Sequence, residues 1–140
     1  MHLILDIAAI QCIHMIEQRT GAHVRDCILG EKIIVIVEQN EIAKAIGKQG
    51  STVKNLEQAF HKPVRIIEYT PDVLAFVKNV ISPLQAEVMS ADDGVVVLHA
   101  KDLKTRGMLI GRNASQLRGF ESIIQRHFPI KELRVEELTY

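Results

Sequence analysis

The sequence predicts an α+β fold assembled from two copies of one small unit. Two observations carry this. A β-type apolar run, Ile33-Ile34-Val35-Ile36-Val37, precedes a glycine-bearing turn, and a second run, Val95-Val96-Val97-Leu98, precedes another. After each turn comes an amphipathic stretch and then a strand pattern, Val64-Arg65-Ile66-Ile67-Glu68 in one half and Leu133-Arg134-Val135-Glu136 in the other. A repeated order of elements marks duplication of a supersecondary unit. Composition agrees: the 140 residues are 47% apolar and 24% charged, as in ordinary globular proteins.

In the first copy, Ile4, Ile7, Ala8, Ile10 and Met15 fall close to helical spacing and predict a helix over 3–19, ended by Gly21. Strands follow over about 23–29 and 32–38, and the intervening Gly30-Glu31 suits a type II′ hairpin. Asn40 is placed to cap a short helix ending at Ile46, with Glu41 favourable against its dipole. Ser51 is placed to cap the next helix, where Val53, Leu56 and Phe60 form one apolar stripe. His61-Lys62-Pro63 stops it before the strand from Val64.

The second copy opens at Thr70-Pro71-Asp72 with a helix over 73–81, closed by Ser82-Pro83. Strands over 85–90 and 94–99 flank an Asp92-Asp93-Gly94 turn. A short helix after Asp102, the turn Gly111-Arg112-Asn113-Ala114, a helix to about Phe128 and a strand over 131–137 complete it. Each copy reads α-β-β-α-α-β, which places residues 1–70 in a first domain and 71–140 in a second.

The turn Gly47-Lys48-Gln49-Gly50 interrupts a helical pattern on both sides. Glycine in a helix interior costs roughly 1 kcal/mol, so two within four residues mark a sharp turn, a close approach to the backbone, or both. The helix that follows has unpaired N–H groups at its start, a ready site for phosphate. Lys48 and Gln49 would point outward, while Ile42, Ile46 and Val53 would floor a groove beside the 64–68 strand. Such a groove holds a base without an aromatic platform, and aromatics are only 4% of the chain. A reader that stacks bases on rings would need more of them.

Other classes find little support. Seventeen basic residues balance 17 acidic ones, which argues against a protein that coats nucleic acid through bulk charge. The apolar start MHLILDIAAIQCIHMI has no basic region before it and is shorter than the ~20 residues of a membrane span, so we expect no membrane association. Cys12 and Cys27 form neither a zinc pattern nor a disulfide framework and read as small buried groups in a cytoplasmic protein. The six histidines lack paired-ligand spacing, and His14 reads as a core or interface residue. With no nucleophile elbow, Walker loop, metal cluster or dinucleotide fingerprint, we expect no enzyme, cofactor, metal or small-molecule substrate.

The stretch Ile46-Gly47-Lys48-Gln49-Gly50-Ser51-Thr52-Val53 resembles the I-G-x-x-G-x-x-(I/V/L) motif of KH domains, whose GXXG loop clamps the backbone of about four nucleotides. Two such units in tandem resemble the archaeal NusA-like transcription factors. The resemblance implies tandem type II KH domains, each a three-stranded sheet covered by helices on one face. It implies single-stranded RNA as partner, RNA polymerase as a second, and a role in transcription elongation, termination or antitermination. Carried onto this sequence, the first clamp is Ile46, Gly47, Lys48, Gln49 and Gly50 with Lys44 and Lys54 beside it. The second is Ile110, Gly111, Arg112, Asn113 and Ala114 with Arg106 and Arg118, and Lys101 and Lys104 nearby opposed only by Asp102. Ala114 stands where the motif has its closing glycine, a strain cost if a positive φ is required there. The alternative is an adaptor docking on RNA polymerase or the ribosome, with RNA binding secondary.

Overall fold

The structure, a computed structural model, describes residues 6–136. They divide into two compact units, one up to Thr70 and one from Pro71. The predicted ends at Leu3 and Glu137 lie outside the described residues.

The first unit begins with helix α1 (Ile7–Thr20). Asp6 caps it: its Oδ1 accepts the Ala9 N–H at 2.7 Å. Gly21, left-handed at φ 73, ends it by donating its N–H to the Glu17 carbonyl. Asp6→Ala should cost about 1 kcal/mol, read as a lower denaturant midpoint with an unchanged m value. His14 is exposed on this helix rather than in the core.

Strand β1 (Val24–Ile28) pairs antiparallel with β2 (Ile33–Val37), with a bulge between Val24 and Asp26. The link is longer than the two-residue hairpin the sequence suggests: Ile28 faces Ile34, and Gly30 is not at positive φ, as a type II′ turn would need. All five residues of β2 are buried, fitting a central strand made of an unbroken β-branched run. Helix α2 (Ile42–Ile46), a 3₁₀ turn over Lys48–Gly50 and helix α3 (Ser51–Phe60) then cross over to β3 (Val64–Glu68), which lies parallel to β2. The sheet order is β1-β2-β3.

Neither predicted cap in this crossover forms. Asn40 is left-handed at φ 68, its N–H donates to Glu68 Oε2 at 2.7 Å, and the capping position falls on Glu41. Ser51 is the first residue of α3, and Gly50 occupies the cap. Cys12, Ile16, Cys27, Val35, Ala45 and Leu56 form the centre of the core, with Ile42, Val53 and Phe60 packed against it. The two thiols touch there, Sγ to Sγ at 3.4 Å, without a disulfide between them.

The second unit repeats this order. Helix α4 (Val73–Ile81) starts at Asp72, which accepts the Leu74 N–H at 3.1 Å. Strands β4 (Ala86–Ser90), β5 (Val95–Ala100) and β6 (Glu132–Val135) form a sheet in that order, β4 antiparallel and β6 parallel to β5. Between β5 and β6 run α5 (Leu103–Ile110), a 3₁₀ turn over Arg112–Ala114 and α6 (Ser115–Gln125), which ends three residues before the predicted Phe128. Asp102 caps α5, accepting the Thr105 N–H at 2.7 Å. Phe76 anchors the core, fully buried, with the buried His127 ring edge-on at 5.6 Å and Phe128 at 5.4 Å.

Candidate nucleic-acid interface

The two predicted turns are the same backbone structure built from different residues. Gly47 has φ 77 and ψ 175, and Gly111 has φ 73 and ψ −180. Gln49 and Asn113 are left-handed at φ 56 and 55. Gly50 follows at φ 74 and Ala114 at φ 61, so positive φ is required there and Ala114 carries the strain. Replacing Ala114 by glycine should therefore raise stability by about 1 kcal/mol, measured as an increased denaturant midpoint.

The glycines divide their labour. A Cβ at Gly47 would collide with the Thr52 side chain and come within 3.0 Å of its backbone N. One at Gly111 would come within 2.6 Å of Gln116 Cβ. The first glycine of each turn thus makes room for the protein's own helix, not for a ligand. A Cβ at Gly50 meets nothing within 4 Å, so the space beside it is open, and the Ala114 methyl stands at the equivalent place in the second unit.

The amides differ from the sequence expectation. The 3₁₀ turn itself uses those at its end: Gly50 donates to the Gly47 carbonyl at 3.3 Å and Ser51 to that of Lys48. Ala114 and Ser115 repeat both bonds. What remains is the pair Lys48-Gln49, helical then left-handed, and its equivalent Arg112-Asn113. A right-handed residue followed by a left-handed one turns successive N–H groups toward one point and makes an anion-binding concavity.

Lys48, Gln49, Arg112 and Asn113 are exposed at the tips, while Gly47, Gly50, Gly111 and Ala114 are half-buried behind them. Ile46 retains 36% exposure beside the first turn, and Ile110 is half-buried beside the second. The flanking cations are of two kinds. Lys48, Lys54 and Arg112 make no ion pair or side-chain hydrogen bond among the described residues. Lys44 pairs with Glu41 at 3.1 Å, and this ammonium, by its hydrogen bond, holds the Glu41 carboxyl below the ordinary glutamate range. That support for folding is present above the ordinary value and fades as pH falls through the lowered one.

In the second unit, Arg118 pairs with Glu121 at 2.6 Å, and Arg106 Nε donates to the Glu136 carbonyl at 3.2 Å. Asp102 is therefore not the only opposing group: Glu121 counters Arg118 directly. The same glutamate anchors the sheet, its Oε2 accepting the Leu133 N–H at 2.9 Å, as Glu57 accepts that of Val64 at 3.1 Å. Sequence reasoning missed both anchors, although each lies the same distance beyond the first glycine of its turn. Among the described residues, no group of three or more His, Cys, Asp or Glu is gathered to hold a metal, and no helix is long and apolar enough to cross a membrane.

Comparison with known proteins agrees with this geometry. The KH-domain family profile matches residues 13–105. A probable transcription termination protein NusA of Methanocaldococcus jannaschii is 32% identical over 123 residues, 85% of this chain and 67% of the relative. Another, from Methanococcus vannielii, is 32% identical over 139 residues, 96% of this chain and 80% of the relative. The crystal structure of APE1850 matches at a TM-score of 0.76 and 22% identity, over 94% of this chain and all (100%) of that one, a likeness of fold.

Proposed function

Because this chain belongs to the KH-domain family and is an archaeal NusA-like KH protein, we propose that it binds single-stranded RNA in transcription, in control of termination, antitermination or elongation. We further assign both units, residues 1–70 and 71–140, as type II KH domains. The duplicated turn carries this reading: Lys48-Gln49 and Arg112-Asn113 each pair an exposed anion-binding concavity with an unpartnered cation. Each turn would grip ribose-phosphate backbone, while Ile46 or Ile110 contacts a base by dispersion. The chemistry asked of the site is binding alone, which fits a non-enzymatic cytoplasmic factor.

The test is a titration of short labelled oligonucleotides, RNA against DNA and single strand against duplex, at several salt concentrations. Preference for single-stranded RNA with a shallow salt slope is expected, since each phosphate contact contributes about 0.7 to the slope for single strands. A steep slope indifferent to sugar and strandedness would leave only nonspecific charge.

A second reading attaches to the second unit. Its closing alanine and the internal engagement of Arg106 and Arg118 favour docking on RNA polymerase. Capture of polymerase from extract that survives nuclease, and is lost on Arg112→Asp, would support it.

A further inference from the structure

The first unit has a cleft of about 600 Å³ between the C-terminal end of α1 and the outer face of α3, away from the turn's tip. Arg19, Thr52, Asn55, Leu56, Gln58 and Ala59 line it. We propose that this cleft is a further nucleotide-binding site, taking a nucleotide of the same RNA strand held at Lys48-Gln49. The assignment rests on the RNA-binding reading above.

Its lining is made of unused hydrogen-bonding groups. The side chains of Arg19, Thr52, Asn55 and Gln58 make no hydrogen bond or ion pair among the described residues. None of the described lining residues is a carboxylate that would repel a phosphate. A guanidinium offers a planar fork to phosphate oxygens. Each carboxamide presents donors and an acceptor, the combination a base edge requires. Ala59, exposed, supplies apolar surface beside them. The volume falls in the range of small-ligand pockets, ~300–1,000 Å³.

The duplicated unit serves as an internal control. Counting from the first glycine of each turn, Thr52, Asn55, Gln58 and Ala59 correspond to Gln116, Gly119, Ser122 and Ile123. There α4 packs on α6, Ile123 is buried at 7% exposure, and the Ser122 hydroxyl donates to the Arg118 carbonyl at 3.0 Å. Of these four, only Ile123 is covered, while Gln116, Gly119 and Ser122 stay exposed. In the first unit Ala59 is exposed where Ile123 is covered, and Asn55 stands in place of Gly119, so the place is more open and more polar than the fold requires. Thr52 joins cleft to clamp, since it lines the cleft and also packs against Gly47. From Thr52 to Ala59 the wall runs ~10 Å along the helix.

The experiment compares a four-nucleotide and an eight-nucleotide labelled RNA on the full chain. Three proteins are used: wild type, Arg19→Ala with Asn55→Ala, and Lys48→Asp with Gln49→Asp. Both cleft residues are exposed, and circular dichroism checks folding. We expect the cleft variant to hold the tetranucleotide as wild type does and to lose about five- to tenfold on the octanucleotide, the scale of one charged contact. Unchanged octanucleotide affinity in the cleft variant, with loss in the turn variant, overturns the cleft and leaves RNA binding at the turn intact. Wild-type affinity in the turn variant instead overturns the turn, and with it a cleft that extends the turn's strand.

Discussion

Gly47→Ala should destabilise the protein by about 3 kcal/mol, whereas Gly50→Ala should cost only about 1 kcal/mol. The two positions look interchangeable in a Gly-x-x-Gly motif, and the backbone separates them. At φ 77 and ψ 175, Gly47 occupies a region open essentially to glycine alone, and its missing Cβ makes room for Thr52. Gly50, at φ 74 and ψ 14, needs only a left-handed residue with open space around it. Ala114 shows that alanine fits that slot. Urea denaturation of both variants measures the difference. Adding Thr52→Ala to Gly47→Ala should recover only part of the loss, because the backbone N at 3.0 Å and the positive φ remain. Equal costs at Gly47 and Gly50 would mean that the turn does not lean on α3 as described.

The same contrast shows how far the sequence could be read. Periodicity and punctuation revealed the repeat, the order of elements and the position of both turns, because those signals are local. The helix start after Asp102 and the stop at Gly21 were legible for the same reason. Asn40 was not: its backbone is set by the Glu68 carboxylate, 28 residues away, which no local pattern announces. Ser51 missed its cap because the left-handed Gly50 takes that place and brings Ser51 inside the helix. Counting charges around the second turn overlooked Glu121, which pairs with Arg118. Glu121 lies within reach of such a tally, at i+3 from Arg118, but its anchoring to the Leu133 amide of β6 does not. The cleft beside α3 was invisible for a related reason. Polar residues on a helix face read as solvated surface until the neighbouring helix is seen to stand off from them.

Replacing Lys48 and Gln49 together by Asp should lower affinity for single-stranded RNA at least tenfold, about 1.4 kcal/mol or more, without changing the circular dichroism spectrum. Both side chains are exposed and neither supports the core, so the fold loses nothing by the exchange. The turn loses its unpartnered ammonium and gains two carboxylates over the amides proposed to receive a phosphate. The salt slope should fall by about 0.7 for each phosphate contact removed. Arg112→Asp with Asn113→Asp makes the parallel change in the second unit. Its effect should be smaller, because the Ala114 methyl sits where Gly50 leaves open space and Arg118 is already paired. Adding Ala114→Gly to an otherwise wild-type chain should then tighten binding, while leaving the first turn's contribution as it was. If the second pair of substitutions proves the more damaging, Ala114 does not obstruct a ligand, and the ranking of the two clamps reverses.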